Sequence, residues 1–235
     1  MQNSLNIFHK KKFLIYGLGK SGLSVLKFLK KDNEIITYDD KLKVKNKKIN
    51  KVNFDYIIIS PGIDVNNCSL SKFLKNNSKK IYTDLDIFYN SYKENKKITI
   101  TGTNGKSTTA KILYDILKDQ KVDARLVGNI GNPVLLEKNV TKKTVFVIEV
   151  SSYQLQYSKV FKSNISLILN ISPDHLERHK TINRYISAKF KLLKSQSKED
   201  LAILNTKNFY INKELKSKNF LPKIIKIKKN LNDNF

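Results

Sequence analysis

An apolar run, Ile98 to Ile100, leads into Thr101-Gly102-Thr103-Asn104-Gly105-Lys106-Ser107-Thr108, and a helical pattern follows. This order of strand, glycine loop and helix N-terminus constrains the chain more than any other feature. It calls for an α/β fold, with the loop at the carboxyl end of a buried strand. The glycines let backbone N–H groups approach an anion closely, Lys106 supplies a point charge, and the Ser107 hydroxyl can hold Mg²⁺. A nucleotide phosphate is the expected ligand, with ATP as its source. The spacing is G-x-x-G-K-S, two residues shorter than the common G-x-x-x-x-G-K-[ST] loop.

Average usage of about 7% would give a chain of this length roughly 16 glycines. This chain has 8, at positions 17, 19, 22, 62, 102, 105, 128 and 131. Glycine kept to four short clusters marks places where backbone geometry or close ligand approach demands it. Those clusters are the candidate site loops. The formal charge of +25 raises the possibility of a nucleic-acid partner, but Arg125, Arg178 and Arg184 are the only arginines. Specific nucleic-acid sites favour arginine for its bidentate geometry. The scattered lysines read instead as a solvated surface, and no specific nucleic-acid partner is expected. Cys68 is the only cysteine, which leaves no internal disulfide and no cysteine-based zinc site. No apolar stretch reaches the ~18 residues of a membrane span, and the N-terminus lacks a secretory apolar region. The expectation is a cytoplasmic monomer without membrane contact.

The first ~90 residues alternate strand-like and helix-like segments, which implies a parallel sheet with crossover helices. Phe13–Tyr16, Glu34–Tyr38 and Tyr56–Ile59 read as strands; Ser21–Leu29, Ser69–Leu74 and Asp84–Tyr92 read as helices. Lys41–Lys51 is polar, lysine-rich and read as a surface loop. The polar stretch Ser91–Lys97 places a boundary between domains at 1–93 and 94–235. A second α/β series follows. Its strands are expected at Lys97–Ile100, Arg125–Val127, Val145–Val150, Ile165–Leu169 and Leu201–Leu204, and its helices at Lys106–Lys118 and Ile182–Leu193. Beyond Thr206 the chain is rich in lysine and asparagine, with one further strand at Lys223–Ile227.

Several constellations carry chemistry. Gly17-Leu18-Gly19-Lys20-Ser21-Gly22 follows a strand and opens a helix, and Asp39-Asp40 ends the next strand. That is the dinucleotide fingerprint in context, or else tight packing of strand on helix. Ser60-Pro61-Gly62 ends the third strand, as a ligand-facing loop or an ordinary turn. Glu149 closes an apolar strand ahead of Ser151-Ser152-Tyr153-Gln154-Leu155. A carboxylate there either meets a cation such as Mg²⁺ or caps the strand at the surface. Asn170-Ile171-Ser172-Pro173-Asp174-His175 also follows an apolar strand. His175 suits a metal or substrate role, and His179 a structural or solvent-facing one. At about 100° per residue, Lys189 falls within the apolar stripe of Ile182, Tyr185, Ile186 and Leu193. It is either a snorkelling lysine or one whose pKa is lowered, paired with an acid or chemically modified.

Together these segments resemble the Mur ligases of bacterial cell-wall synthesis. The shortened loop at Gly102–Thr108 is similar to the ATP loop of that family. Glu149–Leu155 and Asn170–His175 look like its D-glutamate-adding branch, and Gly128-Asn129-Ile130-Gly131-Asn132-Pro133 is similar to its substrate loop. Matching segments run from about residue 12 to about 206 in the family's order. The resemblance implies a Rossmann-like N-terminal domain followed by an incomplete P-loop-type α/β ATPase domain. It implies that Gly102, Thr103, Asn104, Gly105, Lys106, Ser107 and Thr108 bind ATP, and that Lys106, His175 and Lys189 are catalytic. Two Mg²⁺ ions are implied, served by Ser107, Glu149, His175 and a CO₂-derived carbamate on Lys189. Lys20, Ser21, Asp39 and Ser60 would hold the UDP end of UDP-N-acetylmuramoyl-L-alanine, and Asn129, Ser151 and Gln154 its muramoyl-alanine part. D-Glutamate is the second substrate implied, with an acyl phosphate on the way to the amide. Lys20, Asp40 and Lys41 depart from the residue types the family would place at the UDP end. The family also has a third domain and more central domain, so this chain by itself is expected to have little or no turnover. The competing reading is an NAD-dependent oxidoreductase built on the Gly17-x-Gly19-x-x-Gly22 turn.

Overall fold

The computed structural model describes residues 7–42 and 49–227. The described residues form two compact units. One is made of the described residues within Met1–Lys93, Pro133–Lys138 and Tyr157–Phe161, the other of those within Glu94–Asn132, Asn139–Gln156 and Lys162–Phe235.

In the first unit, β1 (Lys12–Tyr16), β2 (Glu34–Tyr38), β3 (Tyr56–Ile59) and β4 (Ile81–Tyr82) form a parallel sheet of order β2-β1-β3-β4. Helices α1 (Lys20–Leu29), α2 (Ser71–Asn76) and α3 (Asp84–Ser91) link and cover it. Apolar side chains fill Phe13–Tyr16 because a parallel sheet is covered on both faces. Leu14, Tyr16, Ile57 and Ile59 pack with Leu74 and Ile81. Phe8, Phe13, Tyr56 and Tyr82 form an aromatic cluster, with the Phe8 and Tyr56 ring centroids 4.8 Å apart. Of the lysine-rich run 41–51, residues 43–48 lie outside the described residues. Its end is less loop-like than expected: Ile49–Lys51 makes a single 3₁₀ turn with Ile49 buried.

The second unit carries a six-stranded parallel sheet of order β10-β9-β8-β5-β7-β6. Its strands are β5 (Lys96–Thr101), β6 (Ala124–Gly128), β7 (Val145–Glu149), β8 (Ile165–Ile168), β9 (Leu201–Asn205) and β10 (Lys223–Ile227). The helices are α4 (Lys106–Asp119), α5 (Ser152–Tyr157, its last residue in the first unit), α6 (Leu176–His179), α7 (Ile182–Lys194) and α8 (Phe209–Ser217). β5 pairs with β7 on one side and β8 on the other. It is the strand at which the order reverses, and ligands of open α/β sheets sit at such switch points. Ile100 and Val147 meet Ala110 and Leu113 of α4 on one face of this sheet. Among the described residues no helix is long and apolar enough to cross a membrane.

Four elements were not anticipated from the sequence. β4, α5 and α6 are too short to show a periodicity. α8 lies in the lysine- and asparagine-rich stretch, where Asn208 Oδ1 caps it by accepting Ile211 N–H at 3.2 Å and Ile211 is its one buried residue.

One buried carboxylate helps tie Tyr157–Phe161 to the first unit, alongside bonds from Lys159 Nζ to the Ser78 and Lys79 carbonyls. Asp86, fully buried on α3, accepts the N–H of Thr83 through Oδ2 at 2.9 Å. Its Oδ1 accepts the consecutive N–H groups of Lys159, Val160 and Phe161 at 2.8, 2.8 and 3.1 Å. Removing this acceptor orphans buried donors, so Asp86→Ala is expected to lower stability by about 3 kcal/mol or more. Urea unfolding measures this, and a loss well under 1 kcal/mol would show that the segment is held by something else.

Candidate functional site

The loop between β5 and α4 is the centre of the second unit's site. Gly105 is the N-cap of α4, so the first N–H groups of the helix face the loop's opening without intrahelical partners. The ammonium of Lys106 folds back to donate to the Thr103 carbonyl at 2.7 Å. Ser107 Oγ donates to Glu149 Oε2 at 2.8 Å. Glu149 Oε1 accepts from Asn129 Nδ2, also at 2.8 Å.

Glu149 is fully buried at the end of β7, which overturns the surface strand-cap alternative. Both its hydrogen-bond partners are neutral, and no ion pair reaches it among the described residues. A buried carboxylate met only by neutral donors has a charge still to balance. A carboxylate beside a hydroxyl is a hard-oxygen pair that fits Mg²⁺, and Ser107 with Glu149 would hold it. Gly128 makes this pairing possible. Its φ is +110°, and a Cβ there would stand 2.2 Å from the Glu149 carbonyl oxygen. The backbone can therefore turn tightly against β7 and bring Asn129 over the carboxylate.

Lys189 does not snorkel. It is 1% exposed, and its Nζ donates to the Gly102 carbonyl at 2.8 Å. A second contact, to Thr101 Oγ1, is long at 3.5 Å, and the ammonium lies 4.5 Å from the centre of the Tyr185 ring. Burial, with Lys106 nearby, lowers its pKa to about 7. The periodicity of α7 thus places this amine correctly in the core.

The other expected residues divide. Ser151 and Gln154 are together but engage each other: Ser151 N–H donates to Gln154 Oε1 at 3.0 Å, and Gln154 N–H donates to Ser151 Oγ at 3.3 Å. This reciprocal cap starts α5 and leaves Gln154 buried. His175 is exposed, with Asp174 Oδ2 3.4 Å from Nε2 and Glu177 Oε1 3.7 Å from Nδ1. No hydrogen bond or ion pair joins it to Ser107, Glu149 or Lys189 among the described residues. His179 is structural: buried, bonded to Ser152 Oγ at 3.0 Å and stacked on Tyr153. Sequence reasoning gave no role to Tyr185, Thr101 or Asn170. Each left a partial signal: Tyr185 lies in the same stripe as Lys189, Thr101 opens the glycine segment, and Asn170 opens the segment that ends at His175.

In the first unit, Lys20, Ser21, Asp39 and Ser60 all line one cleft of about 470 Å³ beside the ends of β1, β2 and β3. Three of them also serve the fold. Asp39 Oδ2 accepts the Leu18 N–H at 2.6 Å and Oδ1 the Lys41 N–H at 2.8 Å, and the Leu18 bond leads in holding its carboxyl below the usual range. Ser60 Oγ donates to the Gly17 carbonyl at 2.7 Å. Ser21 is a side-chain partner of Asp84, whose carboxyl burial pushes up to about 6. A Cβ on Gly22 would sit 1.8 Å from the Gly17 carbonyl oxygen, so close backbone packing alone requires this glycine. Tyr16 OH donates to Asp40 Oδ2 at 2.5 Å, and Ser69 Oγ donates to Oδ1. Exposed Lys20 makes no side-chain bond among the described residues.

Two parallel sheets, a glycine loop at a switch-point strand and a buried carboxylate on its serine define an α/β protein of the P-loop-like kind. The model of the Mur ligase middle domain matches residues 100–234, and the chain belongs to the Mur ligase family. The UDP-N-acetylmuramoylalanine--D-glutamate ligase of Rickettsia bellii is 38% identical over 218 residues, covering 86% of this chain and 48% of that protein. The protein of the same name from Clostridioides difficile is 37% identical, covering 83% of this chain and 48% of its own length. The chain spans about half the length of the curated relatives it matches. Among solved structures, the UDP-N-acetylmuramate:L-alanyl-gamma-D-glutamyl-meso-diaminopimelate ligase from Neisseria meningitides has a TM-score of 0.62 at 14% identity, covering 92% of this chain and 78% of that one. A UDP-N-acetylmuramate-alanine ligase from Thermotoga maritima has a TM-score of 0.53 at 20% identity, covering 94% of this chain and 53% of that one. These two share the fold.

The buried His179 gives the second unit an acid sensitivity. Burial lowers its pKa to about 4, with Arg178 and His175 adding to the shift. An unfolded histidine titrates near 6.5, so between these values the unfolded chain binds a proton that the folded chain refuses. Stability from this group is complete above about pH 6.5 and is lost as pH falls toward 4. Urea midpoints at pH 7 and pH 5 should show a drop larger in the wild type than in His179→Gln, by on the order of 1 kcal/mol. The comparison cancels the other titrating groups, and equal drops would show that His179 is not the cause.

Proposed function

We propose that this chain carries the UDP-substrate-binding and ATP-binding parts of an ATP-dependent ligase, which adds D-glutamate to UDP-N-acetylmuramoyl-L-alanine in peptidoglycan precursor synthesis. The pairing of Ser107 with the buried, uncompensated Glu149 beside the glycine loop carries this reading. The named relatives support the choice of substrates.

In this reading the loop from Gly102 to Thr108 takes the ATP phosphates, and the cleft lined by Lys20, Ser21, Asp39 and Ser60 takes the UDP end. Lys106 exchanges its bond to the Thr103 carbonyl for a phosphate oxygen and stabilises charge on the transferring phosphoryl group. Ser107 and Glu149 would hold Mg²⁺, which when bound would polarise the γ-phosphate and neutralise its developing charge. The alanyl carboxylate attacks the γ-phosphorus, ADP leaves, and an acyl phosphate forms. The D-glutamate amine then attacks the acyl carbon, phosphate leaves, and the amine's proton is lost as the amide forms. Asn129, held on Glu149, together with Ser151 and Gln154, positions the muramoyl-alanine part. His175 and a carbamate on Lys189 would serve a second Mg²⁺. The nicotinamide alternative leaves the loop from Gly102 to Thr108 and the buried Lys189 without a role.

Titrating the chain with UDP-N-acetylmuramoyl-L-alanine, NAD and single-stranded DNA at moderate salt separates the candidates. Binding of the UDP sugar is expected, and preferential binding of NAD would overturn the proposal. The carbamate has its own test. A neutral amine adds CO₂ and releases a proton, and the amine at Lys189 is half neutral near pH 7. With ¹³C-labelled bicarbonate, a carbamate carbon signal should rise through about pH 7 and be absent in Lys189→Arg. A signal that rises only near the usual lysine range, or persists in the variant, would remove the carbamate from Lys189.

A further inference from the structure

We infer that Asn170 is a positioning residue that sets the shape of the ATP loop, an inference that rests on the reading of residues 101–108 given above. A turn two residues shorter than the common pattern has fewer carbonyls of its own to receive its N–H groups. Asn170, just beyond β8, supplies them from outside the loop. Its backbone carbonyl accepts the Thr103 N–H at 3.0 Å. Its side-chain Oδ1 accepts the same N–H at 3.1 Å and the Asn104 N–H at 2.8 Å. Its Nδ2 donates to the Asn104 carbonyl at 3.1 Å. One amide side chain thereby grips the peptides on both sides of Asn104.

That grip has a directional consequence. In a trans peptide the C=O and N–H point in opposite directions. With the Asn104 carbonyl drawn toward Asn170, the N–H of Gly105 points away from it. The N–H groups of Thr103 and Asn104 are occupied and are withheld from a phosphate. The anion cradle is therefore reduced to the N–H groups from Gly105 onward, at the start of α4, where the helix leaves them unpaired. The Thr103 hydroxyl adds a second fastening, accepting the Ser172 N–H at 3.0 Å and lying 3.1 Å from Tyr185 OH. Asn170 thus contributes to nucleotide binding without touching the nucleotide.

The test uses the chain itself, with Mg·ADP as probe. In ¹⁵N NMR the Asn104 amide should exchange slowly with solvent in the wild type and quickly in Asn170→Ala. The dissociation constant for Mg·ADP should rise about tenfold in that variant, the effect of losing one well-formed hydrogen-bonded support. Asn170→Asp keeps both acceptor bonds but loses the donor and adds a negative charge. It should retain Asn104 protection and still bind Mg·ADP more weakly, and it decides the matter if the alanine variant does not fold. A role confined to folding would lower the melting temperature of the variants without moving the Mg·ADP dissociation constant. Equal Mg·ADP affinity in wild type and folded variants would overturn the inference alone. A wild-type chain that shows no response to Mg·ADP would overturn the ATP-loop reading and this inference with it.

Discussion

The amine of Lys189 is buried against the Gly102 carbonyl, at the carboxyl end of the strand on which the second sheet's order turns. An amine shielded from water, with the Lys106 ammonium nearby, favours its neutral form; Asp174 opposes the shift only in part, and the pKa is lowered to about 7. The contact fastens α7 to the end of β5, which itself pairs with β7 and β8. Glu149, at the end of β7, is buried with equally little compensation. No ion pair joins these two groups among the described residues. Had they met, an ordinary buried salt bridge would explain both. Left apart, they border the same loop, Lys189 at Gly102 and Glu149 at Ser107.

The strands and long helices were legible because burial on both faces of a parallel sheet writes continuous apolar runs, such as Phe13–Tyr16 and Val145–Glu149, into the sequence. The inward direction of Lys189 was legible for a similar reason, since a thirteen-residue helix is long enough to fix a phase. What escaped was non-local or too short to repeat. Asp86 holds Lys159 from 73 positions away, and Asn170 holds Asn104 from 66. Such bonds have no period. They depend on where the fold brings two segments together, and asparagine and aspartate are common in loops for many other reasons. α6 has four residues and β4 has two, so neither could declare itself.

The glycine turn of the first unit shows why a fingerprint by itself is ambiguous. Gly22 is required by the Gly17 carbonyl, Ser60 ties its hydroxyl to that same carbonyl, and Asp39 holds Leu18. Every one of these contacts would be present in a protein that bound nothing there. The same contacts also build the wall of a cleft at the carboxyl ends of the strands. The packing and binding readings of the motif are therefore not alternatives. The turn is locked by its own residues, and exposed Lys20 lines the cleft beside it.

Lys97 provides the control for the argument about Lys189. It too is about 1% exposed, and burial lowers its pKa to about 8. Its amine donates to the Asn95 carbonyl at 2.7 Å, near the start of β5. Burial of an amine is thus not enough to mark a site in this chain. The difference lies in which end of the strand each lysine meets. Amino ends of parallel strands are where the sheet is closed off, while carboxyl ends at a switch point are where ligands bind. Lys189 reaches the carboxyl end of β5 and donates to the carbonyl of Gly102, the first glycine of the loop. Two lysines with the same burial and nearly the same acidity therefore carry different meanings, and the topology of the sheet separates them.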